Sequence, residues 1–180
     1  AFATGGLWIT RNDGATWDSL FDHEEAFAIG DVAVLWGEAG QPKTIWVGTG
    51  EANASRSSYA GAGLFRSDDG GRTWRHAGLA DSHRIARIVV HPANPDIVYA
   101  AAQGPLYTEG GERGVFKTTD GGRTWTPALK GGLRTGAVDL LLDWKDPGTL
   151  YAALWEKDRK PWNFLESGPG SGLHKTVDGG

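Results

Sequence analysis

The residue types best suited to binding a ligand are concentrated in three connecting segments, residues 49–62, 103–113 and 155–171. Aromatic and charged side chains on loops of a rigid scaffold are typical of binding surfaces. The candidate ligand-binding residues are Glu51, Asn53, Arg56, Tyr59, Tyr107, Arg113, Trp155, Arg159 and Trp162, with Glu109 and Phe164 beside them. The alternative is that these side chains pack on one another and cover one end of the fold.

Two charged residues interrupt apolar runs elsewhere in the chain. Arg87 and Asp139 each lie eight residues before a proline, and Val34 has the same spacing in an earlier run. If the chain consists of repeated units around a central axis, as the repeats described below predict, this shared spacing gives the three residues equivalent positions. Arg87 would then lie next to Asp139 in the neighbouring unit. We expect both to line a central channel, either as an ion pair that neutralises buried charge or as a pair that binds a ligand.

Local patterns for catalysis and metal binding are weak. Asp81, Ser82 and His83 have the residue types of a catalytic triad, but adjacent residues cannot align as base and nucleophile. The five His are scattered without the spacing of metal ligands. We therefore assign no catalytic residue, and we expect no metal and no cofactor.

The composition excludes further kinds of site. Of 180 residues, none is Cys or Met and 28 are Gly, and the formal net charge is −4. Without Cys there is no disulfide and no thiol nucleophile. A mildly acidic chain is a poor match for nucleic acid, and no apolar run approaches the ~20 residues of a membrane-spanning helix.

A short segment recurs four times, which indicates a repeat protein. It reads Thr-Arg-Asn-Asp-Gly-Ala-Thr-Trp at 10–17, Ser-Asp-Asp-Gly-Gly-Arg-Thr-Trp at 67–74, Thr-Thr-Asp-Gly-Gly-Arg-Thr-Trp at 118–125 and Thr-Val-Asp-Gly-Gly at 176–180. We interpret it as a tight turn in which a carboxylate accepts backbone N–H groups, a Gly adopts positive φ and the Trp packs between units. Its structural residues are Asn12, Gly14, Trp17, Asp69, Gly71, Trp74, Asp120, Gly122, Trp125, Asp178 and Gly180.

Each repeated unit that contains this segment is interpreted as four short β-strands. Four antiparallel strands per ~50 residues predict an all-β fold made of β-propeller blades. We predict the last strands of a blade in residues 1–29, full blades in 30–80 and 81–133, and a blade truncated within its turn in 134–180. About three blades are fewer than the ~4 of the smallest propellers. The chain is therefore expected to be an arc that closes with the rest of its own propeller or with another protein chain.

The repeated segment resembles the Asp-box, or bacterial neuraminidase repeat, of sialidase, sortilin-type and xyloglucan-cleaving propellers. A wider resemblance is to large exported bacterial proteins described as sortilin-like or as glycosyl hydrolases, and it implies export for this chain too. It rests on Val-Gly-Thr-Gly-Glu-Ala-Asn at 47–53, on residues 63–74 and 113–125, and on Lys-Pro-Trp-Asn-Phe at 160–164 with Gly-Pro-Gly-Ser-Gly at 168–172.

Three functional hypotheses follow. The first is a non-catalytic binding or scaffold module that recognises a protein, peptide or glycan through its loop-rich face. The second is part of a sialidase-like or xyloglucanase-like glycoside hydrolase. In a xyloglucanase-type site with two opposed Asp residues, Asp139 could supply at most one. The third, suggested by photosystem-related Asp-box propellers, is an accessory or assembly subunit of a membrane complex.

Overall fold

Strands and tight turns form almost all the regular structure in the computed structural model, which describes residues 4–180 apart from the side chain of Ala39. Residues 1–3 of the predicted first unit lie outside the described residues. The strands in chain order are β1 (Trp8–Ile9), β2 (Asp18–Ser19), β3 (Ile29–Trp36), β4 (Pro42–Thr49), β5 (Leu64–Ser67), β6 (Arg75–His76), β7 (Ile85–Val90), β8 (Val98–Ala102), β9 (Gly114–Thr118), β10 (Thr126–Lys130), β11 (Thr135–Leu142), β12 (Leu150–Glu156), β13 (Asp158–Arg159), β14 (Phe164–Leu165) and β15 (Gly172–Thr176). Two short 3-10 turns occupy Glu38–Gly40 and Ala80–Ser82.

The strands form four successive antiparallel sheets and one separate hairpin. The first sheet is β1–β2, the second β3–β4–β5–β6, the third β7–β8–β9–β10, and the fourth β11–β12–β15, while β13 and β14 form the hairpin. The first strand of the third sheet, β7, lies beside the first strands of the neighbouring sheets, β3 and β11. We call these first strands the innermost strands. Sheets placed face to face with their first strands side by side have the arrangement of propeller blades. The prediction of an all-β chain built from antiparallel sheets is confirmed.

The hydrophobic core lies between the sheets, in one layer for each pair of neighbours. Strand β8 shows how alternation serves two layers, because successive side chains point to opposite faces. Val98, Ala100 and Ala102 pack toward the second sheet. Tyr99 and Ala101 pack toward the fourth. A strand buried on both faces reads as a continuous apolar run, as this one does.

The repeated segment forms a turn closed by side-chain hydrogen bonds. In the third sheet, the Thr118 hydroxyl donates to Asp120 Oδ1 at 2.7 Å and accepts from the Gly122 N–H at 2.9 Å. The other half is held by Thr124, whose hydroxyl and N–H donate to Asp120 at 2.6 and 2.9 Å. The Thr124 hydroxyl is the largest cause that lowers the pKa of Asp120 well below its usual range.

The other copies of the turn use equivalent bonds. Asp69 accepts from the hydroxyl and N–H of Thr73 at 2.6 and 2.9 Å. In the first copy Asn12 replaces the carboxylate, and its Oδ1 accepts from the Thr16 N–H at 2.9 Å. Asp178 accepts from the N–H of Gly180 at 3.1 Å. An amide oxygen therefore closes the turn as a carboxylate does.

The tryptophan that ends the turn links consecutive sheets. Trp74 Nε1 donates to the carbonyl of Leu20 at 2.7 Å, and Trp125 Nε1 donates to the carbonyl of Ala77 at 2.6 Å. Both acceptors belong to the preceding sheet, just after its last strand. Trp17 of the first sheet instead donates to Gly14 within its own turn and is 55% exposed.

A cation stacked on an aromatic ring of its own sheet occurs in the second, third and fourth sheets. The pairs are Arg66 over Trp46 at 5.2 Å, Lys117 over Tyr99 at 5.4 Å and Lys175 over Tyr151 at 5.3 Å. Two of these cations also donate to the first glycine carbonyl of the next turn, Arg66 to Gly121 at 3.0 Å and Lys117 to Gly179 at 2.7 Å. The second and third sheets thus each hold the turn of the sheet that follows.

Each innermost strand contains a β-bulge near its start. The register shifts lie between Ile29 and Asp31, Ile85 and Arg87, and Ala137 and Asp139. Asp31, Arg87 and Asp139 are therefore structurally equivalent, and the prediction that Val34 is the equivalent of Arg87 is wrong. The reason is the three-residue 3-10 turn Glu38–Gly40 between β3 and β4, which increases the spacing to the following proline.

Candidate functional site

The loops between second and third strands gather at the end of the sheets opposite the repeated turns. They form one continuous layer because side chains connect them in sequence. The Tyr107 hydroxyl donates to the Arg56 carbonyl at 2.7 Å, and Gln103 Nε2 donates to the Ala52 carbonyl at 2.7 Å. Lys157 Nζ then donates to Gln103 Oε1 at 2.7 Å. The structure thus brings the three predicted binding segments together as the loop face.

Arg113 lies beneath this surface instead of on it. Its side chain is buried, and its guanidinium donates to four backbone carbonyls of its own loop. The acceptors are Gln103 and Pro105 at 2.6 Å and Thr108 and Gly110 at 2.8 Å. A guanidinium with these donors occupied holds the 103–113 loop in shape, and we assign it that structural role in place of ligand contact.

Lys157 is a second buried cation of the loop face. It is 5% exposed, and its Nζ lies 4.7 Å from the ring centre of Trp155. Burial lowers the pKa of Lys157 to about 7, and the positive charges of Arg84 and Arg113 act in the same direction. Near neutral pH this side chain therefore exchanges between a charged and an uncharged hydrogen-bond donor to Gln103.

The Lys157 side chain is expected to make stability depend on pH. Between pH of about 7 and 10.5 the folded chain has released this proton while the unfolded chain keeps it, so stability rises with pH. The expected slope is roughly 1 kcal/mol per pH unit. Urea unfolding at pH 7, 8 and 9 should show this slope in the wild type and lose it in Lys157→Met. The exposed Lys145→Met is the matched control, and equal slopes in the two variants would contradict the assignment.

The first loop is shaped by two of its own predicted site residues. Glu51 is buried and accepts from the Tyr59 N–H at 3.3 Å. Asn53 Oδ1 accepts from the Ser55 N–H at 3.1 Å and from the Ser58 hydroxyl. The Tyr59 ring itself is 62% exposed. Glu51 and Asn53 therefore maintain the loop, while the Tyr59 ring faces solvent and is available to a ligand.

The hairpin within residues 155–171 was not predicted, and it carries the most exposed aromatic ring of the loop face. Trp162 lies at its tip and is 83% exposed. The Arg159 guanidinium stacks 4.4 Å from the ring centre of Phe164, and the Trp155 ring lies 5.8 Å from the same ring. Trp155 Nε1 donates to the Glu166 carbonyl at 2.5 Å, which ties the hairpin to β12.

An open cleft separates this hairpin from the first loop. Its volume is about 340 Å³, and it is lined by Arg56, Arg159, Lys160, Pro161, Trp162, Asn163 and Phe164. We call it the aromatic cleft. Apolar ring faces next to amide and cationic groups are the usual lining of a small-molecule or oligomer site. Of the predicted ligand-binding residues, Arg56, Arg159 and Trp162 meet here.

Arg87 lies between two carboxylates on the innermost strands. Its Nε is 2.9 Å from Asp139 Oδ1 and its Nη1 is 3.8 Å from Asp31 Oδ1. Burial alone would raise the pKa of Asp139, but the Arg87 hydrogen bond and the Leu140 N–H lower it overall. A general acid needs the opposite shift. This triad therefore joins three sheets as ion pairs and is poorly suited to proton donation.

Metal-binding clusters and membrane-spanning helices are both absent from the described part of the chain. Within residues 4–180, no three His, Asp or Glu side chains are close enough to hold a metal ion. No helix of these residues is long and apolar enough to cross a bilayer.

Comparison with known proteins identifies the fold. No protein-family model matches the sequence, and no curated protein is significantly similar to it. Among solved structures, an ancestral GH74 enzyme matches 99% of this chain with 18% identity and a TM-score of 0.64. A Niastella koreensis GH74 enzyme matches 99% with 19% identity and a TM-score of 0.68. The GH74 xyloglucanase from Xanthomonas campestris matches 99% with 22% identity and a TM-score of 0.60.

The chain is an arc of a β-propeller. It spans 21% of the first of these structures and 26% of the other two. At such identities the likeness establishes the fold alone. The predicted partial propeller is thereby confirmed.

Three residues that shape the site were not singled out from the sequence. They are Asp31, Gln103 and Lys157. A signal existed for Lys157, since it lies two residues after the apolar run 150–155. Asp31 opens its apolar run, but the spacing to the following proline pointed to Val34 instead. Nothing local distinguishes Gln103, whose importance comes from contacts with two other loops.

Proposed function

We propose that this chain is a segment of an exported propeller glycoside hydrolase and that its loop face binds a glycan. The exposed aromatic hairpin is the observation that carries the proposal. Trp162 presents an open ring face, and sugar rings carry C–H groups that pack on such faces. Beside it, Arg56, Lys160 and Asn163 offer hydrogen-bond donors for hydroxyl groups. The likeness to GH74 enzymes supports the same class of ligand.

In this proposal the segment supplies binding and positioning, and the chemistry lies at least partly elsewhere in the propeller. Inverting glycosidases place an acid and a base ~6.5–9.5 Å apart, and the acid must be protonated. Asp139 lies beside Arg87, whose hydrogen bond helps to lower the pKa of this carboxyl. The closed hydrogen bonds of the repeated turn, centred on Asp69 and Asp120, also support the Asp-box interpretation and a purely structural role for that turn.

Xyloglucan oligosaccharide is the glycan to test first, because one matched structure is a xyloglucanase. Isothermal titration with the 180-residue chain is expected to detect binding, with dextran as the comparison ligand. Trp162→Ala should weaken the affinity at least tenfold, about 1.4 kcal/mol, because it removes the exposed ring of the aromatic cleft.

Trp144→Ala is the matched control for this titration. Trp144 is 66% exposed but lies in the β11–β12 turn, at the end of the sheets that carries the repeated turns. Its replacement should leave the affinity unchanged. Absence of xyloglucan binding, or an equal loss in both variants, would reject the assignment of the aromatic cleft.

A further inference from the structure

The aromatic cleft carries positive charge, although the chain as a whole is acidic. Among residues 4–180, its lining includes the cations Arg56, Arg159 and Lys160 and no carboxylate. The formal net charge of the chain is −4. The cationic lining is therefore a local feature of this cleft and does not follow from the overall composition.

Two of these cations have no charged partner in the described part of the chain. Arg56 is exposed, and within residues 4–180 its guanidinium makes no hydrogen bond or ion pair. Arg159 Nε is buried without a hydrogen-bond partner, while Lys160 pairs with Asp158 at 3.0 Å. A buried donor without an acceptor is unfavourable. Because Arg56 belongs to the first loop and Arg159 to the hairpin, the aromatic cleft has an unpaired guanidinium on each side.

Further positive charge lies beneath the loop face. Within residues 4–180, the buried charged side chains are one carboxylate and three cations, namely Glu51, Arg84, Arg113 and Lys157. Arg84 donates to the carbonyl of Ser58 in the first loop at 3.1 Å. Lys157 stacks on Trp155, whose ring lies beside that of Phe164 in the hairpin. The buried cations therefore underlie both loops that form the aromatic cleft.

These buried cations repel one another. Burial lowers the pKa of Arg113 and of Lys157, and the positive charge of Arg84 lowers each of them further. Burial also lowers the pKa of Arg84 by more than the charge of Glu51 raises it. The single buried carboxylate thus does not balance the positive charge, and an anion bound in the aromatic cleft would reduce the repulsion.

We propose that the aromatic cleft selects glycans whose sugar rings carry carboxylates, as uronic acids do. This inference rests on the proposed glycan-binding function and narrows its ligand. The sugar ring packs on Trp162, and the carboxylate at the edge of that ring accepts from Arg56 and Arg159. A guanidinium is a planar fork of donors that matches the two oxygens of a carboxylate. A neutral hydroxyl can also accept from these donors, but it brings no negative charge to the cations.

The test compares oligogalacturonate with its methyl ester, because esterification removes the charge and keeps the sugar ring. In isothermal titration with the 180-residue chain, the acid should bind at least tenfold more tightly than the ester. Raising NaCl from about 20 to about 200 mM should weaken binding of the acid severalfold and leave binding of the ester unchanged.

Equal affinities for the acid and the ester would overturn the selectivity proposed here. If Trp162→Ala then weakened binding of both, glycan binding by the aromatic cleft would still stand. If the acid, the ester and xyloglucan oligosaccharide all failed to bind, both this inference and the proposed function would be rejected.

Arg56→Gln locates the selectivity in the aromatic cleft. Since this guanidinium is exposed and makes no contact that supports the loop, the variant is expected to fold. It should weaken binding of the acid at least fivefold and change binding of the ester by less than twofold. Arg159→Gln should also weaken binding of the acid; if its hairpin does not form, Arg56→Gln still decides.

Arg123→Gln is the matched control, because it makes the same change in net charge at an exposed position in the repeated turn, at the other end of the sheets. Its affinity for the acid should equal that of the wild type. An equal loss in Arg56→Gln and Arg123→Gln would assign the binding to overall charge and overturn the proposal.

A sulfated galactan oligosaccharide distinguishes a carboxylate from another anion. A sulfate ester is a weaker hydrogen-bond acceptor than a carboxylate, so it should bind less tightly than oligogalacturonate of the same length. Tighter binding of the sulfated glycan would overturn the assignment to carboxylate.

Discussion

Arg113→Ala should lower the free energy of unfolding by about 3–5 kcal/mol, because it leaves buried carbonyls without a donor. Four acceptors of one loop converge on this side chain. Loss of these hydrogen bonds would also free the backbone of Gln103, whose side chain bonds to the other two loops. Urea unfolding followed by circular dichroism measures the change.

Arg113→Lys and Arg123→Ala make this prediction specific. Lysine keeps the charge but lacks the planar fork of donors, so it should recover less than half of the lost stability. Arg123 is exposed and lies in the repeated turn, so its truncation should change stability by less than about 0.5 kcal/mol. If Arg113→Ala proves as mild as Arg123→Ala, the side chain does not support the loop.

Trp125→Ala is expected to cost about 3 kcal/mol, the range for truncating a large aromatic side chain in a core. The indole fills the space between the second and third sheets, and its N–H satisfies the carbonyl of Ala77. Removing it creates a cavity against Trp46 and leaves that carbonyl unpaired. Equilibrium urea unfolding measures the loss, and the m-value checks that the transition stays two-state.

Trp144→Ala serves as the reference for this variant as well. Its ring is exposed, so its truncation should change stability by no more than about 0.5 kcal/mol. Equal losses of unfolding free energy in the two variants would show that Trp125 stabilises the fold no more than an exposed tryptophan does. That result would contradict its role as a link between sheets.

The sheet architecture could be predicted because the repeat encodes it locally. The turn at 118–125 closes through bonds between Thr118, Asp120 and Thr124, all within seven residues. Strand β8 reads as one apolar run because it is buried on both faces. Such signals depend on residue type and short spacing, and both are visible in a sequence.

The site could be predicted only as a region. The three loop segments were found, but Arg113 and Arg159 have the same side chain and differ in burial and partners. That difference arises from the path of each loop, which no local pattern encodes. The three-residue 3-10 turn Glu38–Gly40 likewise lengthens the connection before Pro42. Counting back eight residues from this proline therefore reaches Val34 instead of Asp31, the true equivalent of Arg87.

The contacts between sheets are directional, and their geometry determines how many sheets a closed ring contains. At the interface of the second and third sheets, the second presents a stacked cation and a carbonyl, and the third presents a glycine carbonyl and an indole. This is a heterologous, head-to-tail interface, which can continue until rotation brings it back to its start. The contacts of Arg66, Lys117, Trp74 and Trp125 specify how one sheet follows another. The number of sheets that closes a ring is then set by the angle between neighbours, so a duplicated repeat could be accommodated only if that angle became smaller at every interface.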